Sequence, residues 1–388
     1  MRSDYEYIVL GLGGIGSAAA YWLARASGGN VLGLEQFAIG HVRGASQDHS
    51  RIIRLSYHTP GYVALARQAY AAWAELERDA GEKLILRTGG LDFGPRDGAI
   101  SIGDYAASLR AENVQFELLD AGEIMRRWPQ FQLDDSIHGM YQAESGIAPA
   151  ARCNAAHIRM ARAHGATLRE HAPVTSLRAV DGEIEVAAAE QTYRCRKLVV
   201  AADAWTNAAL AHFGVQLPLT ITQEQVTYFA TQQLAAFAPE RFPVWIWMDD
   251  PSYYGFPVYG EAGVKAAQDV GGVEVTPETR TFEPDTAALQ RVEQFLRRYI
   301  PSAVGPIIYT KSCLYTLTPD RDFVLDSLPE HPNVMVALGA AHGFKFAGLF
   351  GKILSELAIH GATASDIAPF AIDRPILLQA NPPKHFMS

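Results

Sequence analysis

The stretch Tyr5–Phe37, YEYIVLGLGGIGSAAAYWLARASGGNVLGLEQF, decides the fold. YIVLG is a short apolar run with β-branched residues and reads as a buried strand. Gly11, Gly13 and Gly16 follow in the spacing G-x-G-x-x-G, with Gly14 and Ile15 inside it. IGSAAAYWLARA carries small residues on one side and reads as a helix. NVLGLE is a second strand that ends at Glu35. Strand, glycine turn, helix, strand and closing acid together make a dinucleotide-binding unit. Gly11 permits the tight turn, Gly13 lets the backbone approach a pyrophosphate, and Gly16 lets the helix lie close to the strand. The helix N-terminus offers free N–H groups and a partial positive charge to phosphates. Glu35 accepts hydrogen bonds from ribose hydroxyls, and its charge repels a 2′-phosphate. NADP is therefore disfavoured, while NAD and FAD both stay open.

A chain of 388 residues has room for two domains and a large core. Its composition is that of an ordinary soluble protein, and a formal charge of −9 argues against a nucleic-acid or anionic-membrane surface. Cys153, Cys195 and Cys313 form no C-x-x-C and no metal spacing, so no metal is expected. An odd cysteine count suits a reducing compartment, and a cytoplasmic location is expected. The start MRSDYEYIVLGLGG has no basic segment before an apolar one, so no signal peptide is read there. No apolar run reaches the roughly 18 residues of a spanning helix. The end KHFMS offers no peroxisomal address, and the tail QANPPKHFMS reads as loose.

Two later segments return to the nucleotide fold. Residues 166–206 read as short alternating strands around a turn at Asp181-Gly182, then a buried strand KLVVAA. DAWTNAALAHF follows as a helical pattern with Asp203 as its N-cap. NVMVALGAAHGFKFAGLFGKILSELAIHG reads as a strand, a Gly/Ala turn and a long amphipathic helix ended by Gly361. Between these lie aromatic, alternating stretches such as VTYFATQQ and VWIWMDDPSYYGFPVYG, which read as an antiparallel sheet. The expected fold is α/β (α+β), with a Rossmann-like dinucleotide domain assembled from separated segments (1–85, 146–220 and 320–388). A second, substrate domain is expected from 86–145 and 221–319.

Seven segments carry a family resemblance: GLGGIGSAAAYWLA, SRIIRLSY, RWPQF, DAWTNAAL, YYGFPVYGEAGVK, KSCLYTLTPDRDFVLD and HGFKFAGLFGKILSELA. In this order, over nearly the whole chain, they resemble the monomeric sarcosine oxidase and N-methyltryptophan oxidase branch of the D-amino-acid-oxidase-like flavoproteins. The resemblance implies FAD as cofactor and a monomer that oxidises a small secondary amine with dioxygen. A cysteine in the C-x-Y-T context is joined through sulfur to the 8α-methyl of FAD in that family, and Cys313 sits in CLYT. The plainer reading of Cys313 alone is a small buried hydrophobe. Cys153 and Cys195 lack the context.

The resemblance also assigns roles. Lys265 is the lysine over the flavin that activates oxygen, because a fixed cation stabilises forming superoxide. Lys345 and Arg54 bind the substrate carboxylate, and Arg51 shapes the site beside the flavin. The plainer reading of RIIR is a helix end with both arginines in water. Tyr254 and Tyr315 line the substrate cavity. His342, Gly343 and Phe344 wrap the pyrimidine end of the flavin, with His342 as a dispensable base. Gln36, Ser50, Val174, Ala202 and Trp205 join the glycine turn and Glu35 around the cofactor.

Two residues depart from the family pattern. Gln47 and Asp269 stand where sarcosine-type members carry histidines, so Gln47 is expected to bind substrate and Asp269 to join the catalytic residues; His49 comes two positions late. Asp269 is expected to pair with Lys265 or with a second positive group on a longer substrate. A larger N-substituted amino acid, a cyclic imino acid or a fructosyl amine then competes with sarcosine. A flavin dehydrogenase using another acceptor, an NAD-linked amine dehydrogenase and a non-catalytic flavin module are the rival readings. Acid precipitation tests the sulfur bond. The parent protein is expected to give a yellow pellet and Cys313→Ser a colourless pellet under a yellow supernatant; colour retained by the Cys313→Ser pellet overturns the assignment.

Overall fold

The computed structural model describes residues 3–385. Expectations about the extreme termini rest partly on residues 1–2 and 386–388, which lie outside the described residues. The chain runs β1 (Asp4–Leu10), α1 (Gly14–Ser27), β2 (Val31–Leu34), β3 (Arg51–Ile53), α2 (Pro60–Ala80), β4 (Leu86–Arg87) and β5 (Gly90–Pro95). It continues through α3 (Ile102–Ala111), β6 (Glu117–Asp120), α4 (Ala121–Arg127), β7 (Ile137–Gln142), β8 (Gly146–Ala148), α5 (Ala150–Ala163) and β9 (Thr167–Arg169). Then come β10 (Val174–Val180), β11 (Glu183–Ala188), β12 (Gln191–Val200), α6 (Thr206–Leu210), β13 (Thr220–Ala230), β14 (Val244–Trp247) and β15 (Tyr253–Phe256). Last are β16 (Gly263–Gln268), β17 (Val273–Glu274), α7 (Thr286–Tyr299), β18 (Ile307–Leu317), β19 (Val324–Leu328), β20 (His331–Leu338) and α8 (Ala347–His360).

An eight-stranded sheet holds the glycine turn. β1 lies between β2 and β12, parallel to both, and β20 joins β12 in parallel. β10 and β11 turn back at Asp181 and Gly182, both with positive φ, as the sequence leads one to expect. Helices α1, α2, α5 and α8 cover one face, and their packing sets the position of the site. Small residues make this possible. Gly16 lies against the Gly11 carbonyl so closely that an added Cβ would fall 1.8 Å from that oxygen. Gly351 brings α8 to within a Cβ's width of the Ala18 backbone, and Trp22 Nε1 donates to Gly348 O at 2.9 Å across the same seam. Helix α2 is bounded by its own chemistry: the Thr59 hydroxyl accepts from Tyr62 N–H, Pro60 opens the first turn and Gly81 ends it at φ 67°.

A nine-stranded sheet contains β5–β7 and β13–β18. Its pairings are antiparallel except β5 with β14, which run parallel. That exception falls where two separate stretches of chain meet, so no short hairpin dictates their direction. A three-stranded sheet, β3-β8-β4, is hydrogen-bonded to neither larger sheet and packs Ile52 and Ile147 against Val244 and Phe256 of the nine-stranded one. Arg51–Ile53 is thus a strand, and the helix-end reading of RIIR is corrected. DAWTNAALAHF is also corrected: it breaks into a 3-10 turn, the five-residue α6 and a second 3-10 turn. Asp203 adopts φ 47° and makes no side-chain cap. Among the described residues, no helix is long and apolar enough to cross a membrane.

The α1–α8 seam yields a stability prediction. Gly351→Ala forces a Cβ to 2.4 Å from the Ala18 carbonyl carbon, which is backbone and cannot rotate away. Overpacking of this kind costs about 1–3 kcal/mol, and a urea-unfolding midpoint no lower than the parent's would contradict it.

Candidate active site

Two cavities meet at the end of β1. The larger, about 770 Å³, is lined by Gly11, Gly13, Glu35, Gln36, Gln47, Val174, Ala202 and Trp205, with Asp48, Asn154 and Asp203. The smaller, about 170 Å³, is lined by Gly14, Ile15, Arg51, Arg54, Tyr254, Asp269, Cys313, Tyr315, Arg321, His342, Gly343, Phe344 and Lys345. Gly13, Ala45, Ser46, Ala201 and Asp203 border both.

The larger cavity fits an extended dinucleotide. Helix α1 begins at Gly14 with no side-chain cap and no acidic residue in its first turn, so its N–H groups face an anion unopposed. Gly11 takes φ 85°, and a Cβ there would meet Ala201 O at 2.5 Å. Glu35 is positioned by its neighbours: its carboxylate accepts from Leu12 N–H and Phe37 N–H, each at 3.0 Å, and lies 3.4 Å from His41 Nε2. Burial resists its charge, but His41 and those two amides hold its pKa below the ordinary value. Gln47 Oε1 and Asn154 Oδ1 are buried without partners on this cavity's wall, as acceptors reserved for a ligand would be.

Cys313 sits on β18, opposite Glu224 of β13, and borders the smaller cavity. Cys153 and Cys195 border neither. Burial pushes the Cys313 thiol up to about 11, against the pull of Arg51. Arg51 donates to Ser50 O at 2.8 Å and Ala45 O at 2.7 Å.

The smaller cavity is rich in buried charge. Arg54 meets Asp92 at 3.3 Å and stacks over Tyr57, leaving its Nε buried and unpartnered. Burial pushes Asp92 up against the attraction of Arg54. Arg321 meets Asp269 at 2.7 Å. Lys345 has no ion pair and no hydrogen-bond partner for Nζ among the described residues. Burial, then the charge of Arg54, pushes its pKa well down. His342 lies against Phe323, and its Nε2 is 2.9 Å from Arg321 O. A carbonyl only accepts, so Nε2 carries the hydrogen and Nδ1 keeps a lone pair. Burial, then Lys345, holds His342 neutral.

Several expectations change. Asp269 pairs with Arg321, not with Lys265. Gln47 lines the dinucleotide cavity and donates to Ser312 O at 3.0 Å, away from Arg54 and Lys345. Ser50 borders neither cavity, and its carbonyl accepts from Lys265 Nζ at 2.8 Å; Gly16 also borders neither, but packs on Gly11 in the close approach expected of it. Lys265 lines neither cavity but stands directly behind the smaller one, 4.6 Å from the ring of Phe256 on its wall; it is 2% exposed and 2.7 Å from Asp48. Asp48, Asp92 and Arg321 were not foreseen, and Asp203, read as a helix cap, borders both cavities instead. Arg321 lies inside the quoted KSCLYTLTPDRDFVLD, yet nothing in its spacing marks it.

This arrangement defines a flavin-dependent oxidoreductase. The chain belongs to the DAO family, FAD dependent oxidoreductase, which it matches over residues 6–357. It is 36% identical to a monomeric sarcosine oxidase of Streptomyces avermitilis, covering 95% of this chain and 97% of that one. Against the monomeric sarcosine oxidase of Arthrobacter sp. (strain TE1826) the identity is 31%, with 98% of each covered. N-methyl-L-tryptophan oxidase of Salmonella newport is 29% identical over 95% of this chain and 99% of its own. The structure of NikD, an unusual amino acid oxidase essential for nikkomycin biosynthesis, aligns with a TM-score of 0.85 at 28% identity, covering 95% and 98%.

Asp203 offers a test of the electrostatics. Burial raises its carboxyl to about 6, against Thr316 and the Ala45 amide. A carboxyl with a raised folded pKa binds an extra proton in the fold, so it favours folding in acid and loses that contribution as pH rises through about 6. Asp203→Asn is expected to stabilise the protein by about 1–2 kcal/mol at neutral pH and by little near pH 4. Equal unfolding midpoints for the two proteins at neutral pH would refute this.

Proposed function

We propose that the chain oxidises a secondary amine bearing a carboxylate to an imine and passes the electrons to dioxygen, forming hydrogen peroxide. The observation that carries this reading is Lys345: its ammonium faces the smaller cavity with no carboxylate in contact, on the wall that also holds Cys313 and Arg54. A buried unpaired ammonium is unfavourable and is stabilised by an arriving anion. The substrate carboxylate is that anion, held by Lys345 and by the part of Arg54 that Asp92 leaves unused. The relatives' names, sarcosine oxidase and N-methyl-L-tryptophan oxidase, point to N-methyl amino acids.

FAD, held by the glycine turn, Glu35 and Cys313, supplies the two-electron acceptor for the C–H bond beside nitrogen. The residues prepare that bond. Lys345 and Arg54 fix one end of the substrate, which confines the other end to a near-attack position. The same positive charge opposes protonation of the amine, so the neutral, electron-donating form is favoured. Tyr254 and Tyr315 wall the cavity. His342, neutral and with Nδ1 as acceptor, takes a hydrogen bond and adds no charge. The Arg321–Asp269 pair gives the cavity a polar side beyond the clamp, which suits a substrate longer than sarcosine. Cys313 as an 8α-thioether retains the cofactor.

Anaerobic mixing with N-methyl, cyclic and glycated amino acids, followed by air, tests the reading. One class is expected to bleach the flavin and yield one peroxide per amine; bleaching by none of them removes the proposal. Lys345→Met is expected to weaken binding of a simple carboxylate such as propionate by about 2 kcal/mol or more, and unaltered binding would remove the clamp.

A further inference from the structure

Lys265 is placed in β16 beside Tyr228 of β13 and Phe256 of β15. An ammonium has three hydrogens. Three acceptors surround this one: Asp48 Oδ2 at 2.7 Å, Ser50 O at 2.8 Å and Ser50 Oγ at 3.2 Å. The ring faces of Phe256 and Tyr228, at 4.6 and 5.9 Å, close much of the remaining approach. Both the donors and the net charge of Lys265 are spent inside the protein.

Asp48 is held in a conformation that its type rarely adopts, with φ 85° and a side chain 2% exposed. Tyr228 OH donates to its carboxylate, 3.0 Å from each oxygen, while Arg51 stands at 3.9 Å and Lys311 at 4.0 Å. Burial opposes its charge, but Lys265 and Arg51 keep it ionised. A strained acid buried against a lysine persists only where the surroundings over-determine it.

We infer that Asp48 is a positioning residue that acts through Lys265: it is a built-in counter-ion that slows the transfer of electrons to dioxygen. This rests on the reading of Lys265 as the cation that serves oxygen. The amine gives up two electrons and two protons to become an imine; dioxygen takes up two electrons and two protons to become hydrogen peroxide. The first electron creates superoxide, an anion with no charge before it, so a net cation nearby favours that step. A lysine neutralised by a carboxylate at contact supplies far less of that field. Asp48 therefore weakens the oxygen half of the cycle while leaving the carboxylate clamp, across the smaller cavity, in place.

The test uses flavin-loaded protein. Asp48→Asn keeps the shape, and Asp48→Gly suits the positive φ. In both, reoxidation of substrate-reduced protein by air is expected to accelerate by about tenfold in mild acid, where Lys265 keeps its proton, and to lose that gain as pH rises, with anaerobic reduction by the amine changing far less. Tyr228→Phe removes the hydroxyl that shares the Asp48 charge, so reoxidation is expected to slow; this isosteric change keeps the test open if the Asp48 variants do not fold. Lys265→Met alone and combined with Asp48→Asn are expected to be equally slow. A second readout needs no turnover. Lys265 is faced by Asp48, Arg51, Lys311, Cys313, Tyr228 and Tyr309, and burial already pushes it down to about 8. Losing Asp48 lowers it further, so the melting temperature of Asp48→Asn is expected to rise more steeply than the parent's from neutral to alkaline pH. Unchanged or slower reoxidation of soluble Asp48 variants in mild acid, or faster reoxidation in Tyr228→Phe, overturns the inference while sparing the role of Lys265. Unchanged reoxidation in Lys265→Met overturns both.

Discussion

Positive charge withdrawn from water needs an opposite charge beside it, and the charges in and behind the walls of the two cavities are arranged by that requirement. Arg54 has Asp92, Arg321 has Asp269, and Lys265 has Asp48. These pairs arise from different strands and loops, so the nine-stranded sheet, the three-stranded sheet and the loop before β3 must all be in place before any charge is balanced. Lys345, at the approach to α8, is the exception. Its side chain faces the smaller cavity with no carboxylate in contact.

Local pattern made the nucleotide half legible. The run from Tyr5 to Glu35 contains its own strand, turn and helix, and Gly11 and Gly16 each have a backbone carbonyl that excludes a side chain. The returns at KLVVAA and NVMVAL were readable because parallel strands buried on both faces are continuous apolar runs. Helix α2 carried readable ends, Thr59-Pro60 and Gly81, and was nevertheless not singled out. DAWTNAALAHF misled because alanine-rich composition signals helix, whereas Asp203 was needed at a left-handed position between the cavities.

The charged site was legible only in part. Cys313, Arg54, Lys345, Tyr254, Tyr315 and His342 came from the family resemblance, since residues so distant in sequence carry no common period. Their partners stayed invisible. Asp48 and Asp92 are single acids in segments with no local signature, and their pairing depends on which strand arrives opposite. Asp269 was noticed because it departs from a pattern. Its partner Arg321 was not, because an arginine in a polar turn is ordinary until the fold encloses it.

The order of strands in the eight-stranded sheet bears on biogenesis. β1 and β2 leave the ribosome early, but the neighbour that β1 needs on its other side, β12, lies at residues 191–200, and β20 ends only at Leu338. Until then a hydrophobic strand waits with an open edge, which is the condition that favours mispairing and recruits chaperones. Such long-range pairing also implies slow maturation. The cavity walls at the end of β1 are thus complete only in nearly finished chains, and a prematurely terminated polypeptide retains the glycine turn without the chamber around it.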